Sequence, residues 1–214
     1  MKNFDIISIE EELKKCLDNP YEWGRKQNDV WDKKSNFIYE IKDYETLKMK
    51  ISEVSKNNDL NKLDFCNYSS NRWYNFWSAM AVEQIFTQIE GIQANINSKN
   101  RLIDFNFFGI DFDHKTSVFP YGFGQKLEFA QKDPEKLIDW LYKNQSVQQR
   151  QHFENRLFLI VYSKKGQHWK LKAEISWLKL IIEKYVATFE NSQLKRFDFH
   201  PGKRTFSDII WAIK

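Results

Sequence analysis

The chain predicts an α/β fold with a mixed sheet, and three observations predict it. Residues 101–120, RLIDFNFFGIDFDHKTSVFP, place apolar and aromatic side chains on both sides of Gly109 and stop at Pro120. Short apolar runs broken by glycine and ended by proline read as two strands about a tight turn. Leu157 to Tyr162, LFLIVY, is a nearly continuous apolar run, the pattern of a strand covered on both faces. Around these strands lie stretches with apolar residues at helical spacing. Strands alternating with helices in one chain build a layered domain, with helices on both faces of the sheet.

The elements follow in order. Ser8 with Glu11 three residues later forms a capping-box pattern, so a first helix is expected from there to Asn19-Pro20. Tyr21 to Tyr39 is polar and aromatic, with Arg25, Lys26, Lys33 and Lys34 interleaved among Trp23 and Trp31. It reads either as a surface loop with its aromatics tucked inward or as a segment that lies on a nucleic-acid backbone. Tyr44 to Ser55 suits a second helix. In Ser70 to Glu90, Trp73, Phe76, Trp77, Met80, Ala81, Ile85 and Ile89 fall at helical spacing. Ser69, Ser70 or Asn71 is placed to cap this helix and Gly91 to end it. After a weak strand beyond Gly91 and the hairpin itself, residues 121–133 read as a glycine-containing loop with a short strand. Asp133-Pro134 opens the next helix, which runs towards Gln149. Ile175, Leu178, Ile181, Ile182, Tyr185 and Val186 mark another helix, and Phe206 to Ile213 a terminal strand.

The composition sets bounds. The 214 residues suit one domain, 69–214, with an N-terminal helical extension, 1–68, packed on it. Hydrophobic residues at 42% and charged residues at 29% are those of a soluble globular protein, and no apolar run is long enough to span a bilayer. Two cysteines, Cys16 and Cys66, lie far apart, which argues against a disulfide framework and a zinc cluster alike. The opening residues lack the apolar core of a signal peptide, so a cytoplasmic setting is expected. A formal charge of +4 suits an anionic partner without requiring one.

The chemistry concentrates in the hairpin. Asp104 lies on its first arm and Asp113 and Lys115 on its second, with Asp111 nearer the turn. Charges set within an apolar sheet are costly unless something compensates them. Asp113 and Lys115, two apart, share one face of a strand, and His114 takes the other. With the turn at Gly109, Asp104 falls opposite the Asp113 region. A divalent ion would draw the two carboxylates together and offset their repulsion. Mg²⁺ takes hard oxygen ligands and keeps several waters. Asp104, Asp113, Glu83 and a backbone carbonyl near His114 supply such a set. Lys115 would then face an ion-bound water or the charge growing on a phosphate.

This arrangement resembles the PD-(D/E)xK nuclease superfamily, which includes many type II restriction endonucleases. Asp104 matches the first acid, Asp113-His114-Lys115 the second element with aspartate for the commoner glutamate, and Glu83 the acid of the preceding helix. Ile103 stands where the family has proline. The resemblance covers roughly residues 71–162. It implies a restriction-endonuclease-like core and Mg²⁺-dependent hydrolysis of double-stranded DNA, with Mn²⁺ able to substitute. It also implies a homodimer where both strands are cut. Arg72, Thr116, Ser117, Gln149 and Arg150 are the candidate DNA contacts, and the N-terminal extension is a further one. Lys164, Lys165, Lys170 and Lys172, and Lys195, Arg196, Lys203 and Arg204, form two basic clusters.

Other readings of the same residues stand beside this one. Asp104 and Lys115 suit a structural ion pair, Asp111 is a second candidate for the partner acid, and Glu90 is an alternative to Glu83. At the level of function, the alternatives are a repair or recombination nuclease, a nucleic-acid-binding protein without hydrolysis, and an α/β protein unrelated to nucleic acid.

Overall fold

The computed structural model describes residues 4–22, 30–95, 102–144 and 153–214. It divides into two compact units, the first comprising Met1–Val82 with Lys172–Trp177 and the second Glu83–Leu171 with Leu178–Lys214.

The first unit is helical: α1 (Ile6–Lys15), α2 (Val30–Lys34), α3 (Tyr44–Asn57) and the larger part of α4 (Lys62–Thr87). Asp5, not Ser8, caps α1, its carboxylate accepting from the Ile7 N–H at 3.0 Å. The helix α4 begins eight residues before the expected start, and the cap is Asn61, which accepts from the Asp64 N–H at 3.1 Å. Ser69, Ser70 and Asn71 are therefore interior helical residues, all buried. The core of this unit is aromatic. Trp73 and Trp77 are buried, and each indole N–H finds a carbonyl, Ile41 at 2.7 Å for Trp73 and Ile38 at 3.0 Å for Trp77. Large rings sit inside a core when their polar edge is satisfied in this way. Trp31 is buried too, so part of the 21–39 stretch is core; Trp23, Arg25 and Lys26 lie outside the described residues.

The second unit holds a six-stranded mixed sheet flanked by helices. Its strands are β1 (Ile92–Ala94), β2 (Phe105–Phe107), β3 (Ile110–Val118), β4 (Arg156–Tyr162), β5 (Lys195–His200) and β6 (Lys203–Ile213), in the order β1-β2-β3-β4-β6-β5. β1, β2 and β3 form an antiparallel meander; β3, β4 and β6 run parallel; β5 is antiparallel to β6. The parallel step from β3 to β4 needs a crossover, which α5 (Leu127–Lys132) and α6 (Pro134–Asn144) provide. Residues 127–132 are thus helical where a loop with a short strand was expected. The strand β5 was not anticipated at all.

The β2–β3 turn is local chemistry. Phe107 and Ile110 pair across a two-residue loop, Phe108-Gly109, with φ of +46° and +84°. Two left-handed residues in succession match the twist of a hairpin, and glycine takes the second without strain. Asn106 braces the turn by accepting from the Gly109 N–H at 2.9 Å and donating to Asp111 at 2.7 Å.

Side-chain parity sets the two faces. Phe105 pairs with Phe112, and on this face Phe86 of α4 stacks on Phe105 at 4.6 Å while Phe107 meets Phe189 beyond α7 (Ile175–Ala187) at 4.4 Å. Lys115 pairs with Phe158, and on that opposite face Phe158, Ile160 and Ile209 pack with Leu137, Ile138, Leu141 and Tyr142 of α6. Asn155 ties the strands at their start, donating to the Asp111 carbonyl at 3.1 Å and accepting from Phe206 N–H at 2.8 Å. Among the described residues no helix is long and apolar enough to cross a membrane, and both cysteines are free.

Phe158 is wholly buried. Phe158→Ala should cost about 3–5 kcal/mol, through lost burial and the cavity left behind. Leu180→Ala, at a 65% exposed position, should stay within about 0.5 kcal/mol of the parent. Urea unfolding of the two variants checks the contrast.

Candidate functional site

The site forms where β2 leaves β3. The β2–β3 pairing ends at Phe105↔Phe112. One step further along this register sets Asp104 opposite Asp113, although the Asp104 backbone N–H already closes on the Phe112 carbonyl at 2.8 Å. From Asp113 onward, alternate residues of β3 bond to β4: the Asp113 N–H to Asn155 at 3.0 Å and the Phe119 N–H to Val161 at 3.1 Å. The N–H and C=O of His114 therefore point to the other edge, the one β2 has vacated. The N–H is taken by the Asp104 carboxylate at 2.8 Å. The carbonyl faces the same opening.

Four charged side chains fall into two pairs. Asp104 Oδ2 also meets His114 Nδ1 at 2.7 Å. Asp113 Oδ2 accepts from Arg156 Nε at 2.5 Å. Neither carboxylate pairs with Lys115, so the structural ion pair between Asp104 and Lys115 does not form. Lys115 has no hydrogen-bond or ion-pair partner among the described residues, on the same face as Asp113 and two residues along. Glu83, in the last turns of α4, is half-buried.

Electrostatics ties these groups together. Burial alone would raise the Asp104 carboxyl, but the hydrogen bonds and charge of His114 outweigh it and hold Asp104 below the usual carboxylate range. Burial is the largest influence on Asp113 and, with the nearby charge of Asp104, keeps it above that range against the pull of Arg156. Burial also disfavours charge on His114, yet Asp104 first, then Asp113 and Glu83, raise the ring above its ordinary value. Lys115 is pushed down by burial and then by the Arg156 charge. Glu83 is pushed up to about 7, by burial first and then by Asp104. Glu83 thus feels the charge of Asp104 and of Asp113, and Asp113 that of Asp104.

The remaining candidates fall as follows. Thr116 Oγ1 and His114 Nε2 are buried on one face of β3 with no hydrogen-bond partner among the described residues. Ser117 is half-buried beside Ile160 of β4. Arg72 is committed within the first unit, donating to the Asp32 carbonyl at 2.9 Å, Tyr39 Oη at 2.8 Å and Ser35 Oγ. Gln149 and Arg150 lie outside the described residues. Asp111 is exposed and bound to Asn106, and Glu90 is exposed beyond the end of α4. Of the basic clusters, Lys172 is buried with its ammonium on Asn75 at 2.9 Å, and Lys203 is paired with Glu154 at 2.5 Å.

Sequence reasoning missed two residues. Arg156 carries no role in the sequence reading, and the His114 ring has none beside the nearby backbone carbonyl. A lone arginine heading an otherwise apolar buried strand is a signal, but its partner follows from the Asp113↔Arg156 register, which no local pattern gives.

The chain matches no protein-family model, and no curated protein or solved structure is significantly similar to it. Among the described residues no three His, Cys, Asp or Glu side chains stand as a ready-made metal cage. The donor chemistry nevertheless suits a hard divalent ion that keeps most of its waters: two neighbouring carboxylates, a third acid within electrostatic reach and a backbone carbonyl facing the same opening.

In the metal-free protein, Glu83 at about 7 against an ordinary 4.5 has a definite linkage sign. Between those values the unfolded chain releases the proton that the folded state keeps, so stability falls as pH rises through this window. The loss, on the order of 2 kcal/mol after allowance for partial exposure, persists above it. Glu83→Gln should therefore gain about 2 kcal/mol over the parent at pH 8 and little at pH 4.5. Urea melts at the two pH values test this; an equal gain at both would contradict the assignment.

Proposed function

We propose that this protein is a divalent-metal-dependent endonuclease that hydrolyses phosphodiester bonds of double-stranded DNA. In this reading it has a restriction-endonuclease-like core and cuts at specific sequences. The observation that carries it is the placement of Asp104 opposite Asp113 at a sheet edge, with Lys115 unpaired on the Asp113 face. The order helix acid, Asp104 before β2, Asp113-x-Lys115 on β3, and helix crossover to parallel β4 also supports the likeness to PD-(D/E)xK enzymes.

Asp104, Asp113 and the His114 carbonyl would hold a Mg²⁺ ion, or Mn²⁺ in its place, with Glu83 as the third acid of the set. When bound, such an ion polarises the phosphate and acidifies a water. Asp104 can present a ligand oxygen in a fixed direction because His114 grips the other at both backbone and ring. Lys115, with no partner to hold it and its ammonium disfavoured by burial, can orient the attacking water and stabilise the charge that develops on the phosphate. Ser117, Gln149 and Arg150 remain the candidate DNA contacts, whereas Arg72 is held by Asp32, Tyr39 and Ser35 and the Thr116 hydroxyl is buried. Cutting both strands calls for one site per strand, which a homodimer supplies.

The test is incubation of long double-stranded DNA with Mg²⁺ or with a chelator, alongside the Lys115→Ala protein. Discrete fragments are expected with Mg²⁺, none with the chelator, and a rate at least about 100-fold lower for the variant. A metal-dependent smear or nicking would move the assignment to a repair or recombination nuclease. No cleavage by folded protein on several DNAs, with Mg²⁺ or Mn²⁺, would overturn it in favour of a binding role.

A further inference from the structure

Arg156 is the strongest feature that the ligand set above leaves unused. It heads β4, directly opposite Asp113. Its Nε reaches Asp113 at 2.5 Å, and the two side chains are 12% and 17% exposed. Both terminal nitrogens lack partners among the described residues. The guanidinium lies over the rings of Tyr142, at 5.5 Å, and Phe158, at 5.7 Å. A buried ion pair is a poor source of stability compared with apolar packing. A guanidinium holding one carboxylate through Nε alone, with its fork unused, is also not in the bidentate geometry that binds carboxylates best. The ring platform fixes the plane of the group while leaving its donors free. Lys115 stands on the same face two pairs along the ladder, with no hydrogen-bond or ion-pair partner among the described residues.

We propose that Arg156 exchanges partners. Without a metal ion it neutralises Asp113; when a divalent ion takes Asp113, the guanidinium turns its free nitrogens, together with Lys115, to the phosphate to be cut. The inference rests on the nuclease reading for its second half only. Charge supports it. Without a divalent ion the cluster holds two carboxylate–cation pairs, the Lys115 ammonium and the Glu83 carboxyl. A divalent ion then leaves excess positive charge, which a phosphodiester anion offsets. The fork of Arg156 is what a phosphate binds bidentately, whereas Lys115 acts as a point charge.

Calorimetric titration with Mn²⁺ alone tests the exchange on the parent, Arg156→Gln and Arg156→Lys, with duplex cleavage measured in parallel. If Arg156 competes with the ion for Asp113, Arg156→Gln should bind Mn²⁺ about 5- to 10-fold more tightly while cleaving at least about 100-fold more slowly. Arg156→Lys keeps the charge and should bind Mn²⁺ within about 2-fold of the parent, yet cleave about 10-fold or more slowly for want of the fork. A folded Arg156→Gln protein that binds Mn²⁺ no better than the parent would overturn the exchange and leave Arg156 a structural partner of Asp113. Should Arg156→Gln not fold, full activity in Arg156→Lys overturns the phosphate half. A parent that cleaves nothing but shows the Mn²⁺ gain in Arg156→Gln would sink the nuclease reading and keep the exchange.

Discussion

Where β2 stops pairing with β3, the bare N–H of His114 must find an acceptor, and Asp104 supplies it with a carboxylate in place of a strand. A backbone donor left buried and unpaired costs about as much as a lost hydrogen bond, so the sheet can end there only because that side chain takes over. The same carboxylate grips the His114 ring and lies opposite Asp113. The site is thus the way the ladder ends, and the hairpin turn at Phe108-Gly109, the Asn106 brace and the Phe86–Phe105 stack all act to fix where that end falls.

The charges are arranged in a manner that stability alone does not favour. Two acid–cation pairs, Asp104–His114 and Asp113–Arg156, occupy a largely buried setting, and replacing such pairs with apolar residues is often neutral or stabilising. Beside them stand Lys115 with no partner and Glu83 driven to about 7 by burial and by Asp104. Titratable groups whose environments push their pKa values in opposite directions mark a candidate for acid–base chemistry. Burial and the Asp104 charge both act against ionised Glu83; in the proposed reading a divalent cation would relieve that repulsion and a phosphate anion the positive charge beside it.

Much of this was legible in the sequence, for identifiable reasons. The hairpin, the parallel strand LFLIVY and the helix opening at Pro134 carry local signals: a glycine at the turn, an unbroken apolar run, and a proline at the first helical position. Asp104, Asp113 and Lys115 could be placed together because strand parity and one turn fix their relation. Other features had no local signal. The first turns of α4 are buried on several sides, with Phe65, Tyr68, Ser69 and Ser70 all inside, so no amphipathic stripe marks them. The edge strand β5, KRFDFH, alternates Phe197 and Phe199 with charges that keep an edge from pairing further, and those charges mask it. The partnerships of Arg156 and of the His114 ring follow from register between strands over 40 residues apart in sequence in one case, and from the path of β2 in the other.

An anomalous difference map of crystals grown with Mn²⁺ separates a metal centre from a purely structural cluster of charges. One strong peak is expected at the vacated edge of β3, within bonding distance of carboxylate oxygens of both Asp104 and Asp113, with the Arg156 guanidinium turned away from Asp113. A Mn²⁺-saturated crystal with no peak at that edge, and Asp113 still bound to Arg156, would contradict it.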